Sequence, residues 1–461
     1  MTDGHVIAEG LRLAREPYAT ARPEAFLLDG VARVADGRPL YGDLETLPFI
    51  VHVYNPATYL IVGTLSRVFR LDMPGMLELG RGISLACTAL LAVLMAWIVR
   101  RETGSPPAAL LAAAALIYFS SPLLDGFFRL RPELPAKLAT VGAMAAVLSA
   151  HRHRAYAAAL LFFTAFAFKQ PYISAPIGTF LYLLATGARR DAWRLAGTLG
   201  SLLLVFFAAM AVWSGGHYYE CAVLSMAWND VEPWDALRAN VLPLADRIGG
   251  LLAAAPVAIV ILARSPRHRV LIAWLAVSLV TTWYTAGKYG AHLNYYAELG
   301  VVLLLLAAIA CGLARGAWRW CVLLPLVAHV AYEWLEDRPW KRRFDGTEVV
   351  NLDAYVEGFR DLEGKLLVTN ERLAVRLGDP EVLDWVLMKH LAERGHFDKS
   401  QLFGRIGAGY YDYVVVDPQV SSRVEGEVFE AVRRGPYERT LRDRDWNKMQ
   451  TFRRRPSHPG P

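Results

Sequence analysis

The chain has 461 residues, of which 54% are hydrophobic, with a mean hydropathy of +0.27 and a formal net charge of +6. This composition is too apolar for an ordinary soluble protein. The excess of basic residues lies in short connectors between apolar stretches, so we assign it to membrane topology and expect no nucleic-acid binding. Four scattered cysteines without metal-ligand spacing predict neither a disulfide framework nor a zinc site.

Residues 1–79 are predicted to form an outer loop with interfacial helices. A partly amphipathic stripe within residues 24–47 predicts a short helix, and residues 52–69 are apolar but short and carry Arg67, which suits a helix lying at the membrane surface. Residues 1–47 contain neither a span nor a signal peptide. Because the topology places this loop outside, either a transmembrane helix precedes Met1 or the segment reaches the outer side without one, and we favour the first alternative.

Residues 80–336 are predicted to form a transmembrane helix bundle. At about 20 residues per crossing, with shorter spans allowed, the apolar stretches predict ten helices. They cover residues 82–99, 107–123, 134–150, 155–168, 172–186, 193–213, 247–264, 270–286, 293–314 and 318–335.

Arginine clusters occur in every second connector between these spans. They are Arg100-Arg101, Arg152 with Arg154, Arg189-Arg190 with Arg194, Arg264 with Arg267 and Arg269, and Arg315 with Arg319. Short connectors rich in Lys and Arg remain in the cytoplasm. The alternation therefore predicts that the other connectors and the C-terminal region face outward.

Residues 350–455 have the composition of a soluble domain. Lys365–Thr369 and Tyr411–Asp417 are short apolar runs that predict buried strands, and residues 380–394 and 422–434 have helical patterns. The expected fold class is therefore a mainly α polytopic membrane protein of about ten transmembrane helices, followed by a small extracytoplasmic α/β domain.

Four cations lie at predicted outer helix ends, where they would suit a phosphate at the bilayer surface. They are Arg129, Arg131, Lys169 and Lys288. Lys169 is the most informative of them because it interrupts an apolar stretch. The competing interpretation is that these side chains reach for lipid headgroups without binding a substrate.

Two further groups of polar residues lie on the same side. Glu24 could act as a general base on an acceptor hydroxyl, although other carboxylates, including Asp29, lie close by in the loop. The run Gly287–Glu298 contains His292, Asn294 and Glu298, and a buried pair of Glu298 with Lys288 or an arginine is as well supported as a substrate contact.

Several short motifs occur in a characteristic order. Glu24 is followed by Gly37-Arg-Pro-Leu-Tyr-Gly-Asp43, Tyr54-Asn-Pro-Ala-Thr-Tyr59, Gly80-Arg-Gly-Ile-Ser84, Arg131-Pro-Glu133, Phe168-Lys-Gln170 and Gly287-Lys-Tyr-Gly-Ala-His-Leu-Asn-Tyr295. In this order the chain resembles the polytopic GT-C glycosyltransferases related to glycosyltransferase family 39. The resemblance covers roughly residues 23–300.

The resemblance implies an inverting transfer of a sugar from a polyprenyl-phosphate carrier to an unknown acceptor on the outer face of a bacterial inner membrane. That family generally keeps an Asp-Glu pair in the first outer loop, and here Pro23 stands in place of the Asp. The implied catalytic residue is Glu24, with Asp29 in reserve. The implied binding residues are Tyr54, Asn55, Arg129, Arg131, Lys169, Gln170, Lys288, His292 and Asn294.

The resemblance implies no certain cofactor and leaves a divalent metal open. Two alternatives also stay open: a transporter or flippase for lipid-linked sugars, and a catalytically inactive relative that serves as a scaffold. Transporters favour inverted repeats and binding residues near the membrane midplane, whereas the polar residues here gather at one face.

Overall fold

The computed structural model describes residues 22–123, 128–231, 242–288, 293–335, 364–378, 382–416, 423–440 and 450–456, with a few isolated positions between them. Two helices open the described chain, α1 (Arg22–Ala35) and α2 (Ala57–Phe69). They match the two helices expected in the first outer loop, and they pack against each other.

In the part of the chain that the structure describes, ten helices of 12 residues or more follow before the C-terminal module, and they correspond one to one with the ten predicted spans. They are α3 (Met73–Thr103), α4 (Pro106–Leu123), α5 (Glu133–Val147), α6 (Arg154–Phe168), α7 (Ser174–Ala185), α8 (Arg189–Ser214), α9 (Leu242–Ala263), α10 (Arg269–Ala286), α11 (Ala297–Leu313) and α12 (Ala317–Leu335). Among the described residues, three helical segments are long and apolar enough by themselves to cross a membrane, namely α3, α8 and residues 266–286. Helices α6, α7 and α11 are shorter apolar helices of 10–17 residues.

Helix α3 begins nine residues before the span that the hydropathy predicts at residue 82. Asp72 caps it by accepting a hydrogen bond from the Gly75 N–H at 3.0 Å, and a proline occupies its first turn. With 31 residues it is about 46 Å long, which exceeds a hydrocarbon core of about 30 Å. Its first turns therefore extend beyond the apolar span toward α1 and α2.

Helix α11 lies at the centre of the bundle. Its side chains from Ala297 to Cys311 are buried without interruption. A helix that is apolar on all sides is stable only when other helices surround it. Helices α4, α9 and α10 pack closely around α11 and supply that environment.

The arginine-rich connectors meet at one end of the bundle. Arg267 pairs with Glu102 at 2.8 Å and donates to the Leu148 carbonyl, so three of these connectors touch one another. Arg154 pairs with Asp191 at 3.0 Å across two more helix ends. We call this the inner end, and the opposite end, which carries Glu133 and Lys169, the outer end.

The C-terminal module contains the elements β1 (Leu366–Val368), α13 (Glu371–Leu377), α14 (Trp385–Glu393), α15 (Ser400–Gly407), β2 (Tyr413–Val416), α16 (Arg423–Arg434), β3 (Tyr437–Arg439) and β4 (Gln450–Arg454). The sheet order is β1-β2-β4-β3, in which β1 and β2 are parallel and the remaining pairs antiparallel. Both predicted strands and both predicted helices are present. Strands β3 and β4 and helices α13 and α15 were not predicted.

Candidate active site at the outer end

Lys169 ends helix α6 and lies almost fully buried at the outer end of the bundle. Its Nζ donates to Oε1 of Glu133 at 2.6 Å. The same Nζ lies 5.5 Å from the ring centroids of both Tyr54 and Tyr295. Aromatic faces attract an ammonium ion, most strongly where water is excluded. Lys169 therefore points into the protein and not toward the lipid headgroups, which disfavours the headgroup interpretation for this residue.

Glu133 begins helix α5, and more than one cation surrounds it. Arg131 and Lys137 also act electrostatically on its carboxylate, and both are at least 97% buried. Buried charges persist only when opposite charges and hydrogen bonds compensate their lost hydration. The structure thus brings Arg131 and Lys169, two of the predicted phosphate ligands, together around one acid.

Tyr54, Asn55 and Gln170 join this cluster. Asn55 donates to the Phe166 carbonyl at 2.5 Å, and Gln170 donates to the Val53 carbonyl at 2.8 Å. Burial raises the pKa of the Tyr54 phenol, and the nearby carboxylates Glu133 and Asp384 raise it further, so the phenol stays protonated. The amides of Asn55 and Gln170 fasten the segment before α2 to the end of α6.

Glu24 is fully buried in an ion pair with Arg81. The guanidinium donates to both carboxylate oxygens, at 2.9 and 2.8 Å, and the Leu130 N–H donates to Oε1 at 2.9 Å. An ideal Cβ on Gly80 would lie 2.5 Å from a Leu130 methyl group, so the glycine allows this close approach. Since Arg131 follows Leu130, the ion pair holds the connector that carries Arg131. The predicted role of Glu24 as a base stays a prediction, and its geometry is that of a structural ion pair.

Asp29, the reserve candidate for the base, is also buried. It accepts from Arg33 Nε at 2.8 Å and lies 3.1 Å from His52 Nε2. Burial alone would raise the pKa of Asp29, but His52 and Arg33 outweigh it and lower the pKa below its usual range. Burial is also the main reason that the pKa of His52 is lowered, against the opposing effect of Asp29. This cluster joins α1 to the segment before α2.

The remaining predicted residues lie less centrally or beyond what the structure describes. Lys288 donates to the Met226 carbonyl at 2.7 Å, and the Arg129 guanidinium lies 5.5 Å from the Phe128 ring centroid. The backbone of Asn294 falls in a short 3₁₀ turn. His292 and the Asn294 side chain lie outside the described residues.

Glu298 forms no ion pair with Lys288 or an arginine among the residues that the structure describes. It accepts instead from Trp274 Nε1 at 2.9 Å, from the Ser174 hydroxyl at 3.1 Å and from the Ala175 N–H at 3.2 Å. The last two donors belong to the N-terminus of α7, where the helix dipole favours a negative charge. Glu298 thereby links α7, α10 and α11.

Sequence reasoning gave no role to Arg81, Lys137 or Tyr295. An ionisable residue within a predicted span was the available signal for Lys137. Tyr295 closes the motif that begins at Gly287, but it was given no role of its own. Among the described residues, no three His, Cys, Asp or Glu side chains converge as ligands for a metal ion.

No protein-family model matches the sequence. No curated protein matches it either.

Solved structures, by contrast, match the chain along its length. ArnT from Cupriavidus metallidurans bound to undecaprenyl phosphate superposes with a TM-score of 0.65 at 12% sequence identity, covering 100% of both chains. The apo state of the same protein gives a TM-score of 0.55 at 12% identity, covering 100% of this chain and 98% of that one. At this identity the similarity establishes the fold.

Proposed function

We propose that this chain, which has the fold of the GT-C superfamily glycosyltransferases, transfers a sugar from a polyprenyl-phosphate carrier to an acceptor on the outer face of the membrane. The observation that carries the proposal is the buried cluster of Lys169, Arg131 and Glu133 beneath Tyr54 and Tyr295. Its similarity in fold to a protein whose structure holds undecaprenyl phosphate supports the same carrier class. The relation to glycosyltransferase family 39 stays a prediction.

The chemistry of a polyprenyl-phosphate donor suits this cluster. The phosphodiester of the donor has one negative charge, and a second develops on the leaving phosphate as the bond to the sugar breaks. Cations that bind the developing charge more strongly than the ground state accelerate the reaction. In the proposal, Lys169 and Arg131 hold the phosphate, which competes with the Glu133 carboxylate for them.

The location of the cluster fits a lipid-linked substrate. It lies at the outer ends of α5 and α6, directly below the first outer loop. An isoprenoid tail can then remain among the apolar helix faces, several of which expose large side chains such as Leu204 and Val205 of α8. The acceptor would approach from the side of the C-terminal module.

Binding of undecaprenyl phosphate to the purified protein tests the proposal. We expect Lys169→Met to weaken binding by about ten- to a hundredfold, since a hydrogen bond to a charged group contributes about 1.5–3 kcal/mol. Lys399→Met is the matched control because Lys399 pairs with Glu427 on the exposed surface of the C-terminal module. Equal affinities of the parent and Lys169→Met would overturn the assignment of the phosphate site.

A transfer assay separates the proposed enzyme from its alternatives. Membranes that contain the parent should transfer labelled sugar from polyprenyl-phosphate donors, and Lys169→Met should reduce that rate. Donor binding without transfer, across a panel of donors and acceptors, would instead favour the inactive scaffold. One observation favours the scaffold: the carboxylates of the two candidate bases, Glu24 and Asp29, are already engaged in ion pairs.

A further inference from the structure

An outer segment between α8 and α9 contacts several residues of the candidate site. We call residues Tyr218–Val231 the bridging segment. Its Tyr218 hydroxyl donates to Asn55 Oδ1 at 2.6 Å, and its Ala222 carbonyl accepts from Gln170 Nε2 at 3.1 Å. Its Met226 carbonyl accepts from Lys288 Nζ at 2.7 Å. Three predicted binding residues therefore take their positions partly from this one segment.

The other end of the bridging segment is held by the C-terminal module. The His396 ring stacks on Trp228 with centroids 4.2 Å apart and planes inclined by 6°. The Asp230 N–H donates to His390 Nε2 at 3.2 Å, and the Asp230 carboxylate pairs with Arg394. Both partners of Asp230 belong to α14 or its C-terminal end. The same module also packs α13 against α1.

The bridging segment has an unusual local conformation, which contacts with neighbouring residues stabilise. Tyr219–Leu224 forms a π-helix, a rare conformation that frequently occurs at functional sites. Its inner side is fixed by the buried Cys221, whose thiol lies within hydrogen-bonding distance of the Gly42 and Ile50 carbonyls. The residues that follow it toward Val231 are held on one side by the contacts with the module just described. On the other side they are held by Lys288, which donates to the Met226 carbonyl and whose backbone bridges Val231.

We propose that the C-terminal module is a positioning element of the donor site, which acts through the bridging segment on Gln170 and Lys288. His390, Arg394 and His396 are then positioning residues, and none of them touches the substrate. The inference rests on the proposed function and assigns a role to the module within it. It predicts that substitutions which weaken the contacts between the module and the bridging segment also weaken donor binding. The donor site lies on the other side of that segment.

The stack of His396 on Trp228 offers the sharpest test. We expect His396→Ala to raise the donor KM by about three- to tenfold, the factor that corresponds to the loss of one aromatic pair, and to leave kcat nearly unchanged. His396→Phe retains an aromatic ring and should restore the parental KM. Arg433→Ala is the control, because it removes an exposed ion pair with Glu430 on the same module.

Hydrogen exchange supplies a measurement that does not depend on activity. In His396→Ala the amides of the bridging segment should exchange faster than in the parent. In His396→Phe and in Arg433→Ala they should exchange at the parental rate. The exchange of amides in the strands of the module should not change in any of these variants. Unchanged exchange and an unchanged donor KM in His396→Ala would overturn this inference. Failure of Lys169→Met to affect donor binding would instead overturn the proposed function, so the two failures are distinguishable.

Discussion

Glu24 and Arg81 lie 57 positions apart in the sequence and form a fully buried, bidentate ion pair between α1 and α3. The same carboxylate accepts the Leu130 N–H, one residue before Arg131. This arrangement connects α1, α3 and the connector that carries Arg131. Glu24 and the arginine of the Gly80–Ser84 motif, both named in the sequence analysis, thus meet in one ion pair.

Removal of one partner of this pair should destabilise the protein strongly. We expect Arg81→Met to lower the free energy of unfolding by about 3–5 kcal/mol, because it leaves the Glu24 carboxylate buried without its main counter-charge. Thermal unfolding in detergent measures the effect. Arg67→Met, at the C-terminal end of α2, is a control for loss of an arginine in the same region.

Glu24→Gln separates the structural role from the predicted catalytic role. A general base would lose about 10²–10⁴-fold in transfer rate per folded molecule. The ion-pair geometry predicts instead that Glu24→Gln mainly lowers the fraction of protein that is folded. The transfer rate per folded molecule should then fall much less than a general base would require. A large loss of rate in protein with parental thermal stability would restore Glu24 as the base. The corresponding measurement on Asp29→Asn tests the reserve candidate.

The cluster of Asp29 and His52 predicts loss of stability in acid. His52 has a folded-state pKa below its ordinary 6.5, so the unfolded chain binds a proton more readily than the folded one. The contribution of neutral His52 to the free energy of unfolding is complete above about pH 6.5 and is lost as the pH falls. Asp29, with a pKa below its ordinary 3.8, adds a loss of the same sign only at still lower pH.

The unfolding temperature should therefore fall between pH 7.5 and pH 5. A tenfold difference in proton affinity between the two states is worth about 1.4 kcal/mol. In His52→Gln the fall should be smaller than in the parent. Parallel curves for the parent and His52→Gln would contradict the prediction.

The network of Glu298 predicts a graded effect of two substitutions. Glu298→Leu leaves Trp274 Nε1, the Ser174 hydroxyl and the Ala175 N–H without this acceptor, and each buried polar group that loses its partner costs about 1–3 kcal/mol. Glu298→Gln retains one oxygen and should be less damaging. Unfolding temperatures of the two variants test the order, and equal temperatures would argue against the network.

The topology can be tested by labelling single cysteines on intact cells. In a background without Cys87, Cys221, Cys311 and Cys321, Lys399→Cys should react with a membrane-impermeant maleimide. Arg190→Cys should react only after the membrane is permeabilised, because the arginine clusters predict a cytoplasmic location. Reaction of both cysteines in intact cells would refute the predicted orientation.

The sequence by itself determined which segments of the bundle are helical and which connectors lie together at one end. Ten apolar stretches gave ten helices because a bilayer crossing needs a continuous apolar run whose backbone is satisfied within the helix. The alternation of arginine clusters brought their connectors to one end, as the pairing of Arg267 with Glu102 shows. The strands β1 and β2 were also predictable, because buried strands read as short β-branched runs between turn formers.

Only the tertiary structure decided which polar residues meet. Lys169 and Glu133 are 36 positions apart, and Glu24 and Leu130 are 106 positions apart, so no local pattern relates them. Strands β3 and β4 carry weak patterns. Strand β4 forms on the free edge of β2, and β3 in turn pairs with β4. The partner of a buried charge depends on how helices pack, since burial penalises any charge that finds no counter-charge. For that reason the sequence indicated the charged residues at the outer end, and the packing of α1, α3, α5 and α6 decided their partners.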